Sequence, residues 1–492
     1  MISTEQRAIA APGTRTGLRR RRALGALFGG LALGALLLGL LVLLVLITTT
    51  VLQSTRLVAM RATADAGLAL SLRNLYVERG GQAQYLPYVS ISRVLPGSSA
   101  EALGLRRGDA LVRLGDRPVE SVGDAWAAVA EAPGRRVELS LGWVPRRRDL
   151  LGSLQAVPVP DRPGAFRVTL VRVAPGSPAE RAGLQPGDVL LEAGGLPITG
   201  AHQAWQAIVV AARTHDGNVP LTIEREGRRL TLVLPAERRG ELAFEKGLLQ
   251  AYWAFLTSVN EPRYPEHAGL ASAFLGSLYV ILVTALVAFP LGVGAAVYLE
   301  EYARRGFLTE VLQILIANLA GVPSVIYGII GLEILARSLH LGRSILAGGI
   351  TLALLVLPIV ILAAREALRT VPPSIREAAY GVGATRWQVL RHHVLPYALP
   401  GIFTGMILAL SRALGEAAPL LLLGAFLYVS YVPQSLWDSF TVIPLQIFDW
   451  ATKPQEGFAE VAAASIVVLL VLLLLLNGTA IWLRNRYQKR WS

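Results

Sequence analysis

The 492-residue chain contains no cysteine, which excludes disulfides, thiolate metal sites and a cysteine nucleophile. Lysine occurs only at Lys246, Lys453 and Lys489, and no glycine precedes any of them, so no phosphate-cradling GxxxxGK[ST] loop exists. The six histidines, at His202, His215, His267, His340, His392 and His393, form no HExxH pair, and no GxSxG is present. Charge is also scarce. Charged residues make up 16% of the chain against roughly 25% in soluble proteins, while hydrophobic residues reach 53%. The net charge of +13 is almost all arginine and is not interleaved with aromatics, so nucleic acid is not an expected partner.

The apolar surplus is arranged in blocks. Ala23 to Thr55, His267 to Leu299, Val311 to Leu332, Ser344 to Ala364 and Val461 to Leu483 each lack Asp, Glu, Lys and Arg. A bilayer core about 30 Å thick needs roughly 20 such residues per helix. Spans are expected over 23–47, 273–298, 309–333, 345–364, 399–425 and 461–483, the fifth carrying Arg412 and Glu416. Arg15 and Arg19 to Arg22 precede the first block, and Arg365, Arg369, Arg376, Arg386 and Arg391 follow the fourth. The positive-inside rule then predicts six spans, both termini in the cytoplasm and the segment between spans one and two outside. The expected organisation is a basic leader 1–22, an anchor helix 23–50, and a helical membrane domain 270–488.

The outer segment repeats itself. Val94-Leu-Pro-Gly-Ser-Ser-Ala-Glu-Ala-Leu-Gly-Leu-Arg-Arg-Gly-Asp109 returns as Val173-Ala-Pro-Gly-Ser-Pro-Ala-Glu-Arg-Ala-Gly-Leu-Gln-Pro-Gly-Asp188, and the register persists at Pro118/Pro197 and Trp126/Trp205. Each copy reads as strand, turn, short Ala-rich helix, glycine stop, and Gly-Asp turn into an apolar strand. The pattern resembles bacterial PDZ domains, which implies two small α+β domains over 84–143 and 157–236. PDZ domains hold peptide C-termini by strand addition, with the carboxylate on a loop. By that resemblance the loop falls near Tyr85–Val89 and Gly164–Val168, with Phe166 and Val168 in the groove. Pro87 removes a donor there, so an envelope peptide or protein ligand and a plain spacer both stay open.

The loop after the fourth span, 371–396, contains Glu377-Ala378-Ala379, then Gly383, then Leu395-Pro396. Prolines 372 and 373 can start a helix, and Gly381 and Gly383 break it before a second helix from Thr385. Two short helices about a glycine make a knob able to dock in a groove of another protein. The string resembles the EAA loop of ABC-importer permeases. Phe289 to Tyr302, Ala317 to Gly328, Ser411 to Leu420 and Ile443 to Phe448 bring it nearest to the phosphate-import permeases. The resemblance implies a mainly α, type I importer permease of the bacterial inner membrane, with the PDZ-like pair as a departure. It implies no cofactor, and as partners a second homologous permease, a cytoplasmic ATPase dimer, an external phosphate-binding protein and membrane lipid. Glu377, Ala378, Ala379, Gly383, Leu395 and Pro396 would couple to the ATPase.

An ionisable group at mid-bilayer costs about 2.5–3.5 kcal/mol. Arg412 and Glu416, at i and i+4, are expected on one face of the fifth span, within reach of each other. Either Arg412 meets a phosphate oxyanion with Glu416 tuning it, or the two form a structural ion pair between permeases. A different oxyanion or small solute, a secondary transporter or a PDZ-bearing membrane protease are the alternatives, the last two without matching motifs.

Overall fold

The computed structural model describes residues 13–79, 82–159, 166–304, 306–426 and 428–488. The first twelve residues of the expected basic leader lie outside them. The chain divides into two compact units, 1–53 and 54–492. The first contains most of helix α1 (Gly13–Asp65), whose side chains from 35 to 49 are all exposed, as expected of a surface meant for lipid. The helix continues past the expected end near 50 because residues 57–62 bury Leu57, Ala59, Met60 and Ala62 in the second unit's core.

Two β domains follow. The first has β1 (Leu68–Arg79), β2 (Gln82–Val94), α2 (Ser99–Ala102), β3 (Ala110–Leu114), β4 (Arg117–Pro118), α3 (Val122–Glu131) and β5 (Arg136–Val144). After α4 (Arg147–Leu150), the second repeats the order with β6 (Gly152–Pro158), β7 (Phe166–Val173), α5 (Pro178–Arg181), β8 (Val189–Ala193), β9 (Leu196–Pro197), α6 (Ala201–Thr214), β10 (Asn218–Arg225) and β11 (Arg228–Pro235). The repeated residues perform repeated chemistry. Ser98 and Ser177 cap α2 and α5, and the carboxylates of Glu101 and Glu180 each accept the N–H of a turn glycine, Gly97 or Gly176, at 2.7 Å. Asp109 and Asp188 each close the Gly-Asp turn on the N–H three residues earlier.

The domain boundaries differ from the sequence expectation. Strand β12 (Arg238–Glu245) does not extend the second sheet but pairs antiparallel with β5, from Arg238 opposite Trp143 to Glu245 opposite Arg136. It holds beside β5 the place that β11 holds beside β10. The second domain is thus nested inside the last strand pairing of the first. Strand β1, ahead of the expected start at 84, also belongs to the first sheet.

The two domains share a core in which the rings of Trp205 and Tyr88 meet edge-on at 5.8 Å, and the Trp205 indole donates to Pro145 O at 2.8 Å. The first domain rests on the helical part through Trp126, Trp143 and Phe244, which share a core with Phe255, Trp450 and Phe458. At Gly457, with φ +97°, a Cβ would lie 2.7 Å from the Trp126 ring, so glycine lets the two bodies close.

Helix α7 (Leu248–Thr257) leads to the helical part. Its members are α8 (Ala271–Val297), extended by a π-turn to Tyr302, α9 (Phe307–Ala320), α10 (Ser324–Ile330), continued as a π-helix to Ser338, and α11 (Ile345–Arg369). Then come α12 (Pro373–Gly381), α13 (Arg386–Val389), a π-turn Leu390–Val394, α14 (Leu395–Gly415), α15 (Ala418–Leu423), α16 (Ile443–Ala451) and α17 (Phe458–Gln488). Small residues bring α11 against α8 and α14: a Cβ on Gly349 would lie 2.4 Å from Val283, and one on Gly405 2.2 Å from Ala363. Thr284 adds a hydrogen bond from α8 to Gly349 O at 3.0 Å.

Among the described residues, five helices are long and apolar enough to cross a membrane. The expected third span, 309–333, is not a single rod: α9 and α10 meet at 102° across Gly321-Val322-Pro323. The fifth, 399–425, also breaks, since α14 ends at Gly415 and α15 starts at Ala418 with Pro419 in its first turn. Pro323 precedes α10 and Pro419 lies in the first turn of α15, positions where no N–H is needed, and hydropathy alone does not register such breaks.

Candidate coupling knob and translocation path

The segment 371–396 forms the expected knob. Helix α12 ends in a Schellman turn: Gly383 N–H donates to Tyr380 O at 2.9 Å, Ala384 N–H to Ala379 O at 3.1 Å, and Gly383 has φ +84°. Helix α13 opens with a capping box between Thr385 and Gln388. Ala379 is buried, together with Val389, Leu390 and Val394, against Ala296, Ala364 and Leu368. Glu377, Ala378 and Gly383 are exposed, and the same tip presents Tyr380, Val382 (86% exposed) and Trp387 (58% exposed). Leu395 and Pro396 open α14 directly after the π-turn Leu390–Val394, so the proline falls where the helix passes from π to α pairing.

An ionic frame that the sequence analysis did not identify holds this knob. Arg376 donates to Glu301 at 2.8 Å and to the carbonyls of Val371 and Leu368. Glu300 receives Arg365 at 2.7 Å and Arg369 at 3.0 Å. Two adjacent carboxylates closing α8 therefore fix the end of α11 and the start of α12. The available signal was the Glu-Glu pair ending one apolar block opposite arginines four residues apart ending another.

Arg412 and Glu416 are brought together, with Arg412 Nε 3.6 Å from Glu416 Oε1. They are not at mid-helix as expected. Arg412 is in the last turn of α14, and Glu416 is its C-cap with extended backbone. The pair thus marks the break between α14 and α15. Glu416 borders a small cleft with Ser277, Ile281, Leu352 and Leu420, while the Arg412 side chain is 53% exposed. The two broken helices meet: a Cβ on Gly328 of α10 would lie 2.5 Å from Pro419 O of α15. Irregular backbone at membrane depth is tolerated where protein covers it or it lines a wet cavity, the setting used for ion sites. Nearby, Ser411 donates to Asn477 of α17 at 2.7 Å, a polar link the sequence analysis did not single out.

The expected PDZ groove positions fall on strands β2 and β7. The first loop position, Tyr85–Val89, lies inside β2, where Tyr85, Leu86 and Pro87 pair with Tyr76, Leu75 and Asn74 of β1 while β3 holds the other edge at Val89. The second, Gly164–Val168, lies partly outside the described residues. Val168 is buried and paired on both sides, with Ala156 of β6 and Leu190 of β8, and Phe166 pairs with Pro158. Val168 is thus enclosed between two strands, whereas among the described residues Phe166 pairs only with β6 and Tyr85–Pro87 only with β1, leaving their other edge without a strand. Among the described residues no three His, Asp or Glu side chains are grouped to hold a metal.

Residues 288–491 match the family of binding-protein-dependent transport system inner membrane components, and 90–141 and 169–225 match the PDZ domain. A phosphate transport system permease protein PstA from Yersinia pestis is 35% identical over 47% of this chain and 78% of its own length. Two probable ABC transporter permease proteins of Bacillus subtilis are also similar. YqgH is 39% identical over 33% of this chain, a match spanning 55% of YqgH, and YqgI is 32% identical over 41% of this chain and 68% of its own length. A solved inward-facing MetNI methionine ABC transporter chain aligns with TM-score 0.38 at 17% identity, covering 44% of this chain and 95% of that one, too slight a likeness to argue from. The identity and coverage of the permease relatives are what decide: the chain belongs to the binding-protein-dependent transport system inner membrane component family.

Proposed function

We propose that the chain is one permease subunit of an ATP-driven importer of inorganic phosphate. It crosses the inner membrane six times, counting each broken pair as one span, with both termini in the cytoplasm and the two β domains outside. A second, homologous permease completes the path. A cytoplasmic ATPase dimer docks on the knob, and an external phosphate-binding protein delivers substrate. The observation that carries the reading is the knob itself, with exposed Val382 and Trp387 on a glycine-hinged turn braced by Arg376–Glu301. A rigid, apolar-tipped projection of this kind suits a groove on a separate motor, and its brace can pass displacement to α8 and α11. The phosphate assignment is supported by the relatives named PstA.

Arg412 is proposed to meet the oxyanion. A guanidinium keeps its charge and presents several donors, and its exposure at a helix break leaves it accessible from the path. Glu416, at 3.6 Å, would hold it between encounters. The β domains are proposed to act as a seated outer cap, a reading supported by the core that the first of them shares with the helical part. The test is ATP hydrolysis by the complete complex in lipid. Phosphate with its binding protein should stimulate hydrolysis; stimulation by another oxyanion alone would reassign the substrate, an alternative favoured by relatives whose names state none.

A further inference from the structure

Helix α7 reads Leu-Leu-Gln-Ala-Tyr-Trp-Ala-Phe-Leu-Thr, ten residues without a charge. Its inner face buries Ala251 and Phe255, the latter against Trp450. Its opposite face presents Leu249, 85% exposed, and Trp253, 69% exposed, one turn apart, with Leu248 beside them. Both ends of the helix are fixed. Ahead of it, Lys246 donates to the carbonyls of Ala130 and Ala132 in the first β domain. Behind it, Leu270 N–H donates to Phe255 O at 2.8 Å and Ala271 N–H to Ser258 O at 3.0 Å, tying its end to the first turn of α8. The Tyr252 hydroxyl shares a hydrogen bond with Ser54 of α1.

The helix is therefore held between the first β domain and the first turn of α8, with Leu248, Leu249 and Trp253 on its free side. Tryptophan and tyrosine concentrate at the membrane–water boundary, and a contiguous apolar helix face in water marks a contact surface. We infer that α7 lies in the plane of the outer leaflet, with Leu249 and Trp253 sunk to the headgroup–acyl boundary and seating the β domains on the lipid. The inference rests on the reading of α8 as a membrane span. With no basic residue on α7, attachment comes from apolar burial and is indifferent to anionic lipid, unlike the lysine-rich interfacial helices.

Because the chain has no cysteine, single nitroxide labels can be placed on the full protein in phosphatidylcholine nanodiscs through Leu249→Cys, Trp253→Cys, Leu282→Cys and Arg229→Cys. Leu249→Cys leaves the tryptophan in place, so the result does not depend on losing it. Relaxation by oxygen should exceed relaxation by a water-soluble nickel chelate at 249 and 253, as at the α8 position 282, with the order reversed at 229 on β11. Higher salt should leave this unchanged. Nickel-dominated relaxation at 249 and 253, with 282 still lipid-like, would overturn the inference, as would spin–spin broadening from a second copy. A water-exposed label at 282 would instead defeat the spanning role of α8.

Discussion

Oε2 of Glu456 accepts the backbone N–H of Val122 at 2.9 Å, so a carboxylate from the turn between α16 and α17 caps α3 in the first β domain. Partial burial raises the Glu456 carboxyl above the usual range, outweighing the hydrogen bonds from Val122 and Gly123. A raised carboxyl favours the docked state below the ordinary value near pH 4.5 and loses that contribution as pH rises through the shifted one. Glu456→Gln keeps an acceptor without the charge and should flatten this dependence. Glu456→Ala should loosen α3 by about 1 kcal/mol, as for a lost N-cap. Hydrogen exchange of the α3 amides between pH 4 and 8 reads both.

Trp387 and Val382 carry no core packing, so replacing them should leave the fold intact. Trp387→Ala is expected to weaken ATPase association by about 2 kcal/mol, roughly thirtyfold, as for a buried interface tryptophan. Gly383→Ala should strain the left-handed turn by about 1 kcal/mol and lower phosphate-stimulated hydrolysis. Unchanged copurification of the ATPase with Trp387→Ala would separate the knob from the motor.

The brace beneath the knob makes a different prediction. Glu301→Gln leaves Arg376 without its half-buried partner and should cost about 2 kcal/mol, less than for a fully buried pair. Replacing both by apolar residues should recover most of that loss. Limited proteolysis at 371–396 measures it, and a double substitution no better than Glu301→Gln would remove the pairing argument.

The repeated aspartates should respond oppositely to acid. Asp109 is pushed up by burial, ahead of its backbone hydrogen bonds, so its contribution fades as pH rises through its folded value. Asp188 is also desolvated, but the Arg225 guanidinium, donating at 2.7 Å, holds it below the ordinary range. Its contribution is present above about pH 4 and is lost as pH falls further. Asp188→Asn should destabilise the second domain by about 2 kcal/mol at neutral pH and remove its acid sensitivity, as peptide-resolved exchange over β7–β10 would reveal.

Arg412 separates transport from stability. An exposed ion pair is worth about 0–1 kcal/mol, so Arg412→Ala should barely change the melting temperature of the assembled complex while phosphate uptake falls at least tenfold. A loss of assembly in step with uptake would return the pair to a structural role between subunits.

Much of this was legible in the chain. Charge-free blocks gave the apolar helices, the repeat gave matching caps and turns, and Gly383 sits at the hinge its motif implied. The helix breaks at Gly321–Pro323 and Gly415–Pro419 were missed because hydropathy sums apolarity and ignores direction. Glu301 and Arg376 lie far apart in sequence, and no local pattern pairs them. Strand β12 was missed for the same reason, since nothing in Arg238–Glu245 states that its partner is β5 rather than the adjacent β11.

That pairing has a consequence for synthesis. A nascent chain emerging from the ribosome finishes every strand of the second sheet while the first still lacks its border at β5. The gap closes only when β12 appears, immediately before α7 and the second apolar helix. The outer domain's final stitch therefore falls together with the entry of α8 into the bilayer, and excising the first repeat alone would leave β12 without its partner.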